Sequence, residues 1–336
     1  MKLISAGISM KYRPPRPLEE IDKDINVVEK KILDMLGEVI EMDEVKTPKY
    51  YRQKFLLALL QVFSGKLKRT EFQKYLFLSQ QEYRKISPEY YFVPYKFGPF
   101  SFQAYADIRR MDDLGIIINQ DLIQTKTDSN YLALLKKSDR NAITATYSKY
   151  GDIKGNKLIK FIYSKYPYYA IKSELSIMQP GENPYLSGMA KGSACFSLGY
   201  EGLTIDQYLN RIIQNNVRVV IDVRKNPVSM KYGFSKKTLT NALDNLKIGY
   251  INLPELGIHS EFRRHLKTYD DYEALFNEYE KNILRYQNDA LEIIADEYKK
   301  HKRIALTCFE KDYRYCHRSR ICSLLKNRFD IKTGHL

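Results

Sequence analysis

Two hydrophobic rhythms divide this chain. Up to about residue 175 the apolar positions recur mostly at helical spacing. After residue 194 they gather into short continuous runs separated by amphipathic stretches. The first rhythm predicts a helical bundle and the second predicts buried strands alternating with helices.

Within the first part, Ile21, Ile25, Val28, Ile32, Met35, Leu36, Val39 and Ile40 predict a long amphipathic helix over residues 20–45, preceded by an extended "YRPPRP" at 12–17. Such a helix fits a packing or dimerisation role. "QKFLLALLQVFSG" predicts a helix closed by Gly65, and "LKRTEFQKYLFLSQQEYRK" predicts a second with Thr70 as its cap. "YYFVPYKFGPFSF" then brings an aromatic extended piece to Gly98-Pro99, with a third helix from Ser101. Residues 119–148 read as a hairpin with turn residues at 126–130, and a further helix follows in "GNKLIKFIYSKYPYYAIKS". Three helices followed by a hairpin is the layout of a winged helix. Residues 176–193 are rich in Gly, Pro, Ser and Asn and read as a linker.

In the second part, the runs at 195–200, 217–224, 249–256 and 303–309, with a short final strand in "IKTGHL", alternate with helices from Thr204, from Ser235, over 270–300 and over 317–329. The repeat predicts a Rossmann-like open parallel sheet with flanking helices, so the fold class is α/β with a mainly helical winged-helix domain before it. The expected boundaries are 1–49 for the entry segment and amphipathic helix, 50–185 for the winged helix, 186–194 for the linker and 195–336 for the α/β domain.

The carboxyl ends of parallel strands line the ligand crevice of such sheets. Tyr200 and Glu201 follow the first predicted strand, Asp222 and Arg224 end the second, Glu255 ends the third, and Cys308 and Glu310 end the fourth. These groups are expected to converge on one edge.

Two resemblances sharpen the picture. "FQKYLFL" (72–78), "YYFVPYKFGPFS" (90–101), "DLGII" (113–117) and "YSKYP" (163–167) are similar to the winged-helix domains of the Panacea and related antitoxin-like families. That resemblance covers roughly 50–185 and implies recognition of nucleic acid or protein. "GYEG" (199–202), "IDVRKNP" (221–227), "FSKK" (234–237), "LPELG" (253–257), "CFE" (308–310), "CHRS" (316–319) and the terminal "HL" resemble, in order, the domain of unknown function 488 family. That resemblance implies the fold and the place of the site, with a hint of nucleic-acid or nucleotide processing, but no reaction.

Composition narrows the partners. The 336 residues carry a formal charge of +15, spread over both halves, and 28% of residues are charged. Such a balance favours an anionic partner, nucleic acid first and DNA before RNA, through phosphate neutralisation. No apolar run is long enough for a membrane span and the first residues do not make a secretory signal, so a soluble cytoplasmic protein is expected. The four cysteines (195, 308, 316, 322) and five histidines (259, 265, 301, 317, 335) all lie after position 194. Thiol or imidazole chemistry therefore belongs to the α/β domain.

The stretch "CFEKDYRYCHRSR" (308–320) concentrates that chemistry. Zinc ligation by Cys308, Cys316 and His317, with His335 or His259 as the fourth ligand, runs against the spacing, and adjacency of Cys316 and His317 makes joint chelation awkward. A phosphatase loop from Cys308 to Arg314 lacks glycine and carries Glu310 and Asp312, which repel phosphate. The favoured reading is a polar-ligand pocket. Cys316, His317 and Arg318 open a helix whose N-terminus suits an anion, with Arg224 beside them. Asp222, Glu255, Cys308 and Glu310 are the candidate catalytic groups, Glu310 or Asp222 being the acid or base. Tyr200, Glu201, Arg224, Cys316, His317 and Arg318 are the candidate substrate-binding groups. No metal and no cofactor is assigned. Cys195 and Cys322 read as core residues.

The resulting expectation is an enzyme, hydrolase or glycosylase-like, acting on a base, nucleoside or phosphodiester while the winged helix holds nucleic acid. Bacterial DNA processing or defence is its expected setting, with the 20–45 helix as the candidate homodimer interface. The alternative is a non-catalytic, antitoxin-like regulator that senses a nucleotide-like ligand and binds DNA.

Overall fold

The computed structural model describes residues 27–32, 47–84, 88–126, 129–175, 185, 192–263 and 266–336. Two compact units result, Met1–Thr47 and Pro48–Leu336. In the first, residues 27–32 are helical and exposed. The remainder of the 20–45 helix, the 12–17 segment and most of the expected linker lie outside the described residues.

The second unit holds everything else. Its first part runs α1 (Tyr51–Val62), β1 (Lys66–Lys68), α2 (Arg69–Tyr83), β2 (Val93–Tyr95), β3 (Gly98–Phe100), α3 (Phe102–Asp113), β4 (Ile117–Asn119), β5 (Leu122–Thr125), α4 (Lys137–Tyr150) and α5 (Gly155–Lys165). β1, β5 and β4 form a three-stranded antiparallel sheet in that order, and β2 and β3 form a separate hairpin. The core is built from Phe55 and Leu59 of α1, Phe72, Leu76 and Phe77 of α2, Met111 of α3 and Ile143 of α4.

Several local signals act as expected. Gly65 turns the chain out of α1 at φ +74°, its N–H bonding Leu60 O at 2.7 Å. The Ser101 side chain accepts the Ala104 N–H and caps α3. Residues 119–148 differ from the expected hairpin. The strand pairing turns at Gln120-Asp121 and ends at Thr125, and residues 137–150 form α4. Ala142, Ile143, Thr146 and Tyr150 share that helix's buried face, a 3–4-residue spacing that overrides the β preference of Ile143, Thr144 and Thr146. Lys68 rather than Thr70 is the residue preceding α2.

The second part runs β6 (Ala194–Gly199), α6 (Ile205–Gln214), β7 (Val219–Asp222), α7 (Lys236–Asn245), β8 (Gly249–Asn252), α8 (Tyr269–Asn282), α9 (Asn288–His301), β9 (Arg303–Cys308), α10 (Arg318–Phe329) and β10 (Thr333–His335). All five strands are parallel, in the order β10-β6-β9-β7-β8. Thr204 and Gln207 form a reciprocal capping box at the start of α6.

The strands are apolar throughout because both faces are covered. Val219, Ile221, Ile304 and Leu306 pack with Phe276 of α8, Leu291 and Ile294 of α9, and Ile321 and Leu325 of α10. Leu198, Val220 and Ala305 pack with Tyr208, Leu209 and Ile212 of α6 and Leu239 and Leu243 of α7. The second face also takes Val93 of β2, so the helical part packs onto α6. Asn210 donates to Phe92 O at 2.5 Å and accepts from the Tyr168 hydroxyl at 2.8 Å across that junction. Among the described residues no helix is long and apolar enough to cross a membrane.

Candidate functional site

A cavity of about 410 Å³ opens at the carboxyl edge of the parallel sheet. Tyr200 reaches it from the end of β6, Arg224 from beyond β7, and Cys308 and Glu310 from the end of β9. His317 enters from the turn before α10, and Arg263 from the 3-10 turn Ser260–Arg263. Lys225, Asn226 and Ser229 line it on the β7 side.

Two glycines allow the strand ends to approach one another. A Cβ on Gly199 would lie 1.8 Å from Glu310 O, and one on Gly257 would lie 2.1 Å from Lys225 N. Both backbone crossings require the missing side chain.

Glu310 is the pocket's carboxyl. Its Oε1 pairs with the Arg263 guanidinium, and its Oε2 accepts from Cys308 Sγ at 3.2 Å. Burial, reinforced by the neighbouring Cys316 sulfur, pushes it up to about 7, against the pull of Arg263.

His317 is held from both sides. Nε2 lies 3.0 Å from Val223 O and Nδ1 lies 2.8 Å from Arg263 Nη2. A carbonyl only accepts and a guanidinium only donates, so Nε2 carries the hydrogen and the Nδ1 lone pair faces the site. Cys308 Sγ and Cys316 Sγ stand 4.0 and 3.8 Å from that nitrogen. The two sulfurs are buried and titrate as a pair. A hydrogen bond to Cys316 and burial raise the Cys308 thiol. Burial works against ionisation of Cys316, yet the Cys308 hydrogen bond, Arg318 and His317 bring it well below its usual value.

The expected site residues separate into two groups. Tyr200, Arg224, Cys308, Glu310 and His317 meet at the cavity, and Cys316 stands directly behind it, fully buried. Arg224 faces the cavity with donors already engaged. Nε and Nη2 grip Asp222 at 2.8 and 2.6 Å, and Nη1 donates to the Tyr200 hydroxyl and Phe234 O, both at 2.8 Å. Asp222 is wholly buried beneath it and also accepts from Tyr250. Arg318 is likewise buried, donating to Ser197 at 2.9 Å, Cys316 Sγ at 3.2 Å and Glu310 O at 2.5 Å. These two arginines brace the walls. Glu201 is exposed and accepts the Lys311 N–H at 3.0 Å. Glu255 is exposed on the turn Pro254–Leu256, away from the cavity lining.

Arg263 is the functional group that sequence reasoning missed. It sits in an irregular segment, 47 positions before its partner Glu310. Its only local signal is a basic loop following the third strand.

The residues that meet here are drawn from a continuous stretch with an independent signature. No curated protein and no solved structure matches the chain. Residues 204–325, which contribute every cavity residue except Tyr200, match the model of the family described as a domain of unknown function, DUF488.

Proposed function

We propose that the α/β domain is a hydrolytic or glycosylase-like enzyme acting on a nucleotide or nucleic-acid substrate at the Glu310 cavity. The observation that carries this reading is the placement of the Glu310 carboxyl on the cavity wall, fixed by Arg263 and Cys308, beside the lysine- and arginine-bearing segment 224–231. A carboxyl so fixed is in place to pass a proton to a leaving group or take one from water, a contribution of about 10²–10⁴-fold. Lys225 offers the cationic contact for a phosphate. Arg224 and Arg318, whose donors are spent on the protein, hold the framework.

The helical part supports the nucleic-acid side of the reading. Its order α1-β1-α2-α3-β4-β5, with the sheet arranged β1-β5-β4, supports a winged-helix reading in which the β2–β3 hairpin is an insertion. Arg109 and Arg110 are exposed on α3, the helix in the recognition position.

A second reading, a ligand sensor coupled to DNA binding, is favoured by one contact. Asp206 of α6 receives the N–H groups that open α3. A ligand that shifts α6 would act directly on the proposed recognition helix.

Mass spectrometry of DNA and RNA, natural and base-modified, after incubation with the protein or with Glu310→Gln separates the two. A released base, nucleoside or cleaved strand that disappears in the variant establishes the enzyme. A folded, fully active Glu310→Gln protein defeats it. Unchanged nucleic acid that still binds leaves the sensor.

A further inference from the structure

We propose that Cys308, Cys316 and His317 form a zinc site whose fourth coordination position opens onto the Glu310 cavity. The inference rests on the geometry of three side chains and is independent of the substrate.

The donor atoms are already gathered. Cys308 Sγ, Cys316 Sγ and His317 Nδ1 all lie within 4.8 Å of one another, on buried residues. A tetrahedral zinc, with Zn–S of about 2.3 Å and Zn–N of about 2.0–2.1 Å, separates sulfur from nitrogen by roughly 3.5 Å and sulfur from sulfur by roughly 3.8 Å. The two sulfur–nitrogen distances here are 3.8 and 4.0 Å. Small rotations of the side chains close the remaining gap.

The adjacency that made joint chelation awkward in the sequence is resolved by the backbone. Cys316 is extended (φ −130°, ψ 139°) and His317 is helical (φ −57°, ψ −16°). The bend between them turns both donor atoms to the same side.

The surroundings have the second shell that such sites need. His317 donates its Nε2 hydrogen to Val223 O at 3.0 Å, the contact that fixes a metal-binding imidazole with the other nitrogen free to ligate. Arg318 Nε donates to Cys316 Sγ at 3.2 Å and offsets thiolate charge. Without metal, a cation already points at the same place: Arg263 Nη2 sits 2.8 Å from His317 Nδ1. Seating zinc requires this one side chain to leave the imidazole, which its ion pair with Glu310 allows.

Soft sulfur with imidazole selects zinc over the oxygen-seeking magnesium and calcium. Cys308 and His317 line the cavity while Cys316 closes the site from behind. Three protein ligands with an open position is the arrangement of a catalytic zinc, which supplies a water-derived nucleophile or polarises a substrate oxygen. Glu310, 3.2 Å from Cys308 Sγ, is beside that position.

The test is metal content, read without any assay of turnover. The full-length protein is stripped with chelator and titrated with Zn²⁺, then with Co²⁺ as a spectroscopic substitute. The expected result is one zinc per chain by elemental mass spectrometry, and a cobalt complex with sulfur-to-metal charge-transfer bands and tetrahedral d–d absorption. Cys308→Ser, Cys316→Ser and His317→Gln each weaken binding at least about 100-fold, while Cys195→Ser and Cys322→Ser leave it unchanged. The absence of a stoichiometric ion, or binding that survives Cys308→Ser and His317→Gln, overturns the site. If the buried Cys316 variant does not fold, Cys308→Ser at the cavity wall and the wild-type cobalt spectrum still decide. Zinc bound with no nucleic-acid product would defeat the proposed substrate and leave the metal site standing.

Discussion

Asp206 of α6 accepts the backbone N–H of Phe102, at 2.7 Å, from the first turn of α3 in the other half of the unit. The same carboxyl takes the Gln103 N–H at 3.1 Å and the Ser101 hydroxyl at 3.2 Å. The helix proposed to meet nucleic acid is therefore capped by the domain that carries the cavity.

This cap makes stability depend on pH. Asp206 is fully buried, and burial pushes its carboxyl up to about 7 although the three donors oppose the shift. A carboxyl whose folded value exceeds its unfolded value of about 4 binds a proton on folding within that window. Its stabilising contribution is complete below pH 4 and declines as the pH rises towards 7, by at most about 1.4 kcal/mol per unit. Denaturant unfolding at pH 5 and pH 8 should show this loss in the wild type, with Asp206→Asn flattening the difference. Asp206→Ala removes the cap as well, at a cost of about 1–2 kcal/mol at pH 5 that shrinks towards pH 8.

The Asp222–Arg224 pair is a buried brace, with side-chain exposures of 0% and 6%. Asp222→Ala leaves the guanidinium uncompensated and should destabilise the domain by roughly 3–5 kcal/mol. Glu255→Ala, at an exposed turn, should stay within about 0.5 kcal/mol. Equal effects of the two substitutions in urea unfolding would refute the assignment of Asp222 as structural support.

Gly199→Ala probes the crossing of β6 and the Glu310 segment. A methyl group 1.8 Å from a carbonyl oxygen cannot be accommodated without moving backbone. The expected cost is about 1–3 kcal/mol, together with displacement of Glu310 and loss of whatever activity Glu310→Gln removes. Wild-type melting and turnover in this variant would show that the two segments are freer than the structure places them.

Nucleic-acid binding, if it runs through α3, should follow counter-ion release. The logarithm of the binding constant falls linearly with the logarithm of salt, by about 0.9 for each phosphate contact on duplex DNA. Arg109→Ala and Arg110→Ala should each reduce that slope by about one while leaving thermal stability alone, since both side chains are exposed. Titrations at several salt concentrations decide this, and unaltered slopes would move the contact to another face.

The parallel sheet was legible because β6, β7 and β9 are apolar on both faces, a pattern that amphipathic strands do not give. Thr204 and Ser101 announced their helices through side chains that cap within three residues. The 137–150 helix was hidden by its β-branched residues, whose local preference yields to the core around Ile143. At the site, Cys308 and Glu310 were legible because they close a strand, and His317 because it opens a helix. Arg263 was not, since only tertiary folding carries a loop arginine to Glu310. The roles of Arg224 and Arg318 were also beyond the sequence. A charged group at a strand end looks the same whether it faces a ligand or spends its donors on the wall behind.

The strand order has a consequence for how this chain is made. β6 and β7 are consecutive apolar strands, yet they do not pair with each other, because β9 lies between them. During synthesis β6 emerges with no neighbour and β7 with only β8, and both await residues 303–308. Until then the centre of the domain presents open, hydrophobic sheet edges, the state in which chains most readily associate wrongly. A ribosome that stalls before β9, or a fragment cut there, yields a chain committed to folding but lacking its central strand. Such a chain is a natural client for chaperones.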